Sequence, residues 1–280
     1  MTEVIFKSTA SEAGFSSLGN WLACPARAQM DEDAKSAAPF TAPYPEDAKP
    51  SPTLVGSLAG EMIQRWYAGM PISPRATFLW EAEGVITNLE ETHPLSTKEA
   101  RRLFDAYSMA HSPDHYGEPL GFEIRVEVPA SVFGIRVTGA LDAKFRLSES
   151  AAERLRQAGR TAEAGQTAIV DWKTAARATD TTDWTLKPTM QIYAVGDHIL
   201  SGIRPAHLIW DVVKKTKEVA FEKHYAYALT EGHVQWLRNV FAEIGRRKSL
   251  GPVPEPSPAN CVAWGRACPN LEDNFCKLLK

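Results

Sequence analysis

Two aspartates and a lysine carry the most legible chemistry in this sequence. Asp142 stands in GALDAKF, and Asp171 and Lys173 stand in IVDWKT. Both segments are apolar and read as strands. Strand side chains alternate, so Asp171 and Lys173 face one side while Trp172 faces the other. Charges at half-buried strand positions are costly unless partnered. A shared divalent cation offsets that cost: two carboxylates, the Trp172 carbonyl oxygen and waters make the hard-oxygen shell of Mg²⁺. Such an ion lowers the pKa of a bound water, and Lys173 would orient that water or stabilise charge on a phosphate. The same residues also allow a plain Asp171–Lys173 or Asp142–Lys173 ion pair, or charges on a solvated face.

The cysteines are the second chemical signal. Cys24 stands alone, whereas Cys261, Cys268 and Cys276 crowd the last 20 residues of the chain. Clustered thiols in a protein outside an oxidising compartment point to metal before disulfides. Four thiolates can hold a tetrahedral zinc or a 4Fe–4S cluster. The wide gaps and the remote ligand suit a cluster better than the close Cys-x-x-Cys pairs of structural zinc. Three unrelated thiols and a buried cysteine are the plain alternative.

The elements that must position these groups follow from patterning. A helix is expected over 11–30, a Pro- and acid-rich loop or linker over 31–52, a helix over 53–68 (Leu54, Leu58, Met62 and Trp66 four apart), and another over 97–110. Residues 121–146 read as a three-strand meander: GFEIRVEV, SVFGIRV and GALDAKFRL. Residues 148–164 are polar and read as an insertion at a strand connection. TAIVDWKT is a strand, 188–201 a helix, LIWDVVKK and KEVAFEKHYA strands, and 230–248 an amphipathic helix. This order implies an α/β fold, a central mixed sheet flanked by helices.

With 280 residues, 44% hydrophobic and 23% charged, the chain can bury a substantial core. A net charge of −3 argues against coating nucleic acid by bulk charge, so basic contacts would be local. Lys214, Lys215 and Lys217, and Arg246, Arg247 and Lys248, are candidates to grip phosphates; cations closing a helix also offset its dipole. His198 and Trp184 are left without a role. No apolar run approaches the roughly 20 residues that span a bilayer. The N-terminus lacks a basic segment followed by an apolar one, so the expectation is a cytoplasmic protein with no membrane partner.

GALDAKF followed by IVDWKTA, and then a helix with Gln191 and Tyr193, resembles the PD-(D/E)XK nuclease superfamily. The cysteine layout, with Cys24 in WLACPARA and three more at the end, resembles the iron–sulfur members of its RecB-like branch, such as the AddB nuclease domain and the CRISPR-associated adaptation nucleases. The resemblance implies a single domain over 1–280 with a restriction-endonuclease-like core. Residues 1–30 and 255–280 would form a cluster-binding lobe. It implies a Mg²⁺- or Mn²⁺-dependent DNA nuclease, often an exonuclease on single-stranded or duplex ends, in recombination, repair or phage DNA processing. Asp142 and Asp171 would bind metal, Lys173 would be catalytic, and a 4Fe–4S cluster on Cys24, Cys261, Cys268 and Cys276 would pin the chain ends together. It also leaves room for a recombination or helicase partner.

Three features depart from that pattern. Gly60 stands where the branch usually has a metal-binding His, so the site has two carboxylates, or Glu61 or Glu123 completes it. Gln191 and Tyr193 are two apart rather than four; Gln191 is taken as the DNA or Lys173 contact and Tyr193 as core. The tail cysteines are more widely spaced than usual. The rival reading is a DNA-binding or recombination accessory that keeps the fold and cluster without activity. A third is a zinc-stabilised structural protein.

Overall fold

A computed structural model of the chain describes residues 3–7, 49–70, 77–82, 85–175 and 188–249. The chain divides into two compact units. The first comprises Met1–Ala10, Ala42–Val126 and Ala140–Thr230, and the second Ser11–Thr41, Glu127–Gly139 and Glu231–Lys280.

A five-stranded sheet holds the strands of interest: β4 (Glu118–Val128), β5 (Val137–Arg146), β6 (Thr167–Ala175), β7 (His207–Lys214) and β8 (Ala220–Ala226), in that spatial order. β5 runs antiparallel to β6, β6 parallel to β7, and β7 antiparallel to β8, so the sheet is mixed. β6 and β7 are near-continuous buried runs, as expected of adjacent parallel strands covered on both faces.

Helices α1 (Pro52–Tyr67) and α3 (Pro94–Ala110) pack together on one face of this sheet. The hydroxyl of Ser51 caps α1 by accepting from the Leu54 N–H at 3.4 Å, and Pro52 sits in the first turn, where no donor is lost. Leu54, Leu58 and Met62, at four-residue spacing, form the buried stripe of α1. They share a core with Leu103 and Tyr107 of α3 and with Val170, Trp172, Phe145 and Val213 of the sheet. Helix α6 (Pro188–Ser201) connects β6 to β7 and is tied to β5 by a buried Lys144–Asp197 ion pair at 2.8 Å. Lys144 and Asp142 are two apart and share a face of β5, so α6 crosses the face that carries Asp142.

The first unit also holds a smaller sheet. Strand β1 (Glu3–Lys7) is parallel to β2 (Thr77–Ala82), which is antiparallel to β3 (Val85–Asn88). The single turn α2 (Leu89–Thr92) follows, capped by Asn88. In the second unit the described elements are the single turn α4 (Ala130–Phe133) and helix α7 (Glu231–Ser249), where Phe133 stacks on Phe241 at 4.7 Å.

The α/β class with a central mixed sheet flanked by helices is as the sequence implies; several elements differ. Residues 121–146 form two strands, not three. Ser131, Val132 and Phe133 belong to α4, which is capped by Pro129 in extended backbone and ended by Gly134 at φ +80°. The polar stretch 148–164 contains a helix, α5 (Glu149–Gln157), capped by Ser148 and burying Ala151, Ala152 and Leu155. Helix α3 begins at Pro94 rather than 97. The helix expected over 11–30 and nearly all of 31–52 lie outside the described residues. No helix among the described residues is long and apolar enough to cross a membrane.

Candidate active site

Alternation along β6 puts Asp171 and Lys173 on the α6 face and Trp172 on the α1/α3 face. The pairing register of β5 with β6 runs from Arg146↔Thr167 to Ala143↔Val170, and Asp142 stands one residue beyond it. There its Oδ2 accepts the Trp172 backbone N–H at 2.9 Å. The carboxylate thus takes a donor at the point where the ladder ends, which anchors Asp142 to the strand carrying the other two groups.

Lys173 bridges the two acids. Its Nζ lies 2.5 Å from Asp171 Oδ2 and 3.9 Å from Asp142 Oδ2. Exposure falls inward: the Lys173 side chain is 40% exposed, Asp142 22% and Asp171 0%. Lys173 also lies over the Trp210 ring, 5.7 Å from its centroid. Burial, then the Asp142 charge, pushes the Asp171 carboxyl up to about 7, against the pull of Lys173. Burial also raises Asp142, opposed by Lys173 and the Trp172 N–H. Burial alone would lower the Lys173 ammonium, but the two carboxylates outweigh it and hold it above the usual lysine range.

The donor set fits a hard divalent cation. Both Asp171 oxygens are fully buried; Oδ2 is held by Lys173, while Oδ1 has no hydrogen-bond partner, which is costly in a low-dielectric setting. An ion would satisfy Oδ1, and Mg²⁺ commonly uses one or two carboxylates and keeps its waters. Among the described residues no three or more His, Cys, Asp or Glu side chains gather closely enough to share an ion.

Glu123 and Glu61 are engaged elsewhere. The Glu123 carboxylate accepts from Gln64 Nε2 at 2.8 Å, and Glu61 pairs with Arg65 at 2.7 Å. Glu123 still senses the site: burial raises its pKa, and the Asp142 and Glu61 charges raise it further against the Gln64 hydrogen bond. Its φ of +46° lies in the left-handed region, unusual for a non-glycine residue. At Gly60 a Cβ would meet nothing within 4 Å, whereas at Gly56 it would come 3.0 Å from Thr174 Oγ1.

On α6 the structure brings Tyr193, not Gln191, toward the acids. Gln191 is buried and its Oε1 has no hydrogen-bond partner. Tyr193 lies about 200° around the helix from it and one turn before Asp197, which binds Lys144. Burial raises the Tyr193 phenol, and the Asp171 charge raises it further. It therefore stays a neutral donor beside the carboxylates. In sequence, the signal for Tyr193 was its i, i+4 relation to Asp197.

The opposite face of β6 holds a buried polar network that sequence reading did not find. Asp211 of β7 accepts from Tyr107 at 2.6 Å and Tyr116 at 2.7 Å, and Trp172 Nε1 donates to the Tyr107 hydroxyl at 3.2 Å. Trp172 is thus held at its indole by Tyr107 and at its backbone by Asp142. The four cysteines lie outside the described residues.

No family model matches the chain, and no curated protein matches it. Solved structures do. A "putative exonuclease" from Eubacterium rectale is 11% identical, with 94% of this chain and 87% of that chain covered and a TM-score of 0.52. The two chains share a fold. A second structure, SSO0001, is also 11% identical and covers 85% of this chain and 88% of that chain. Its TM-score of 0.31 is too low to inform the comparison.

Proposed function

We propose that this chain is a metal-dependent deoxyribonuclease that hydrolyses phosphodiester bonds at DNA ends. The observation that carries the reading is the Asp142–Lys173–Asp171 cluster, with Asp171 fully buried and its Oδ1 without a hydrogen-bond partner. The shared fold with a structure named as an exonuclease agrees with it. The paired D and D-x-K segments, with the cysteine layout, place it in our reading on the RecB-like, iron–sulfur branch of the PD-(D/E)XK nucleases.

Asp142, Asp171 and the Trp172 carbonyl would hold Mg²⁺ or Mn²⁺, with Glu123 and Glu61 as outer carboxylates. When bound, the ion supplies an acidified water and neutralises charge on the phosphate. The residues divide the remaining work. Lys173, kept protonated by its two neighbours, stabilises negative charge building on the phosphate. Tyr193, kept neutral, donates a hydrogen bond on the same face. Trp172, fixed at both ends, sets the pitch of the strand that presents Asp171 and Lys173.

The inactive accessory protein is the second reading, favoured by Gly60 and by the absence, among the described residues, of a third ligating side chain. End-labelled single- and double-stranded DNA with Mg²⁺ or Mn²⁺ decides. Wild type is expected to degrade DNA only with added metal. Lys173→Ala should lower the rate at least about 100-fold, the scale for losing a charge-stabilising group. Equal rates for wild type and Lys173→Ala would overturn the nuclease reading.

A further inference from the structure

The turn between β7 and β8 takes no part in the chemistry above; it lies past the end of β6 that carries Lys173, toward α1 and α3 rather than on the α6 face. In the β6–β7 register, Val212 lies opposite Lys173 and Lys214 opposite Ala175; the Lys215 N–H then donates to the Ala175 carbonyl at 2.7 Å. At about 3.3 Å per residue, Lys215 lies about 10 Å along the sheet from Lys173.

Around this turn the described residues form a basic rim. Lys215 Nζ donates to the Pro52 carbonyl at 3.3 Å, and Arg102 Nη1 of α3 reaches the Lys217 carbonyl at 3.5 Å. Lys98 is one turn before Arg102 and exposed. The carboxylates present are Glu99, Glu218 and Glu222. Arg102 holds Glu99 through two bonds of 2.7 and 2.8 Å, and Lys214 holds Glu222. Lys98 and Lys217 are left without an ion-pair partner among the described residues, and Lys215 has none within ion-pair distance, though the Glu99 charge acts on it. The nearby start of α1 carries no acid in its first turn, so its positive dipole end is not offset there. This cationic rim belongs to a chain whose net charge is −3, so it is a local feature and not a general one.

We propose that the Lys215–Lys217 turn, with Lys98, grips the phosphates of a DNA strand leading to or from the Asp142–Lys173–Asp171 cluster. The inference rests on the nuclease reading of that cluster, and the test separates the two. Binding is measured by fluorescence anisotropy with labelled single-stranded DNA over a range of salt, using Asp171→Asn protein in EDTA to prevent cleavage. Adding Lys215→Ala and Lys217→Ala should weaken binding about tenfold at fixed salt. It should also reduce the slope of log affinity against log salt by about 1.4, for two phosphate contacts on a single strand. Lys217→Ala alone, whose side chain is exposed and unpartnered, should remove about half of that slope without affecting folding. Arginine at both positions should restore it, and Arg156→Ala on α5 should leave it unchanged. An unchanged slope in a protein that binds DNA overturns the rim. No DNA binding by the parent protein at any salt overturns the nuclease reading and this inference with it.

Discussion

At the scale of single residues, Asp171 sits under opposing demands. Burial and the Asp142 charge raise its carboxyl to about 7, above the ordinary aspartate value of 3.8. Between those values the folded chain holds a proton that the unfolded chain has released. Stability therefore declines as pH rises from about 4 toward 7, and a divalent ion bound as proposed would compete with that proton for the same oxygens. Metal-free wild type should melt at a lower temperature at pH 8 than at pH 6, and Mn²⁺ should recover the difference at pH 8. Asp171→Asn should remove both responses; thermal unfolding by circular dichroism checks this, and a metal response that survives the substitution would contradict it. Period-two alternation alone placed Asp171 and Lys173 on one face, so this part of the site was readable from sequence. Tyr193 was not: two-residue spacing from Gln191 left the helix register open, and only the partner of Asp197 fixes it.

Among elements, α6 matters most because it covers the acidic face. Its attachment is the buried pair of Lys144 and Asp197, and it approaches β4 closely where Gly196 stands: a Cβ there would come 2.7 Å from Val126 Cβ. Breaking a buried pair from one side leaves an uncompensated charge. Lys144→Met should destabilise the protein by about 3–5 kcal/mol, and adding Asp197→Leu should recover most of that. Urea unfolding of both variants measures it; equal losses in the single and double variants would show that the pair does not hold α6. Helices α1, α6 and α7 were legible because each has a long apolar period. The one-turn α4 was misread as a strand since its SVFG offers β-formers and no helical period, while Pro129 and Gly134 set its limits. The small sheet was missed for another reason. β1 pairs with β2, which is some 70 residues further along, and local pattern does not report such distant partners.

For the molecule as a whole, the cysteines raise the question of what joins its ends. Cys24 and Cys261 are 237 residues apart in sequence. A shared metal centre would close nearly the entire chain into one loop, restricting the unfolded state more than any local contact could. By analogy with a disulfide of that span, the effect is on the order of 5 kcal/mol. For a centre of that kind residue types and spacing are the whole sequence signal, because no alternation or helical period connects positions so far apart. If Cys24, Cys261, Cys268 and Cys276 hold a 4Fe–4S cluster, protein purified without oxygen should be brown, absorb near roughly 400 nm and contain about four irons per chain. Replacing any one of the four with Ser should bleach it and lower its melting temperature, whereas Asp171→Asn should leave the colour unchanged. That contrast separates loss of the cluster from loss of the active site. Colourless wild type containing one zinc per chain would make the centre structural zinc. Protein with neither metal, melting like its Cys→Ser variants, would show that the four thiols serve no common centre.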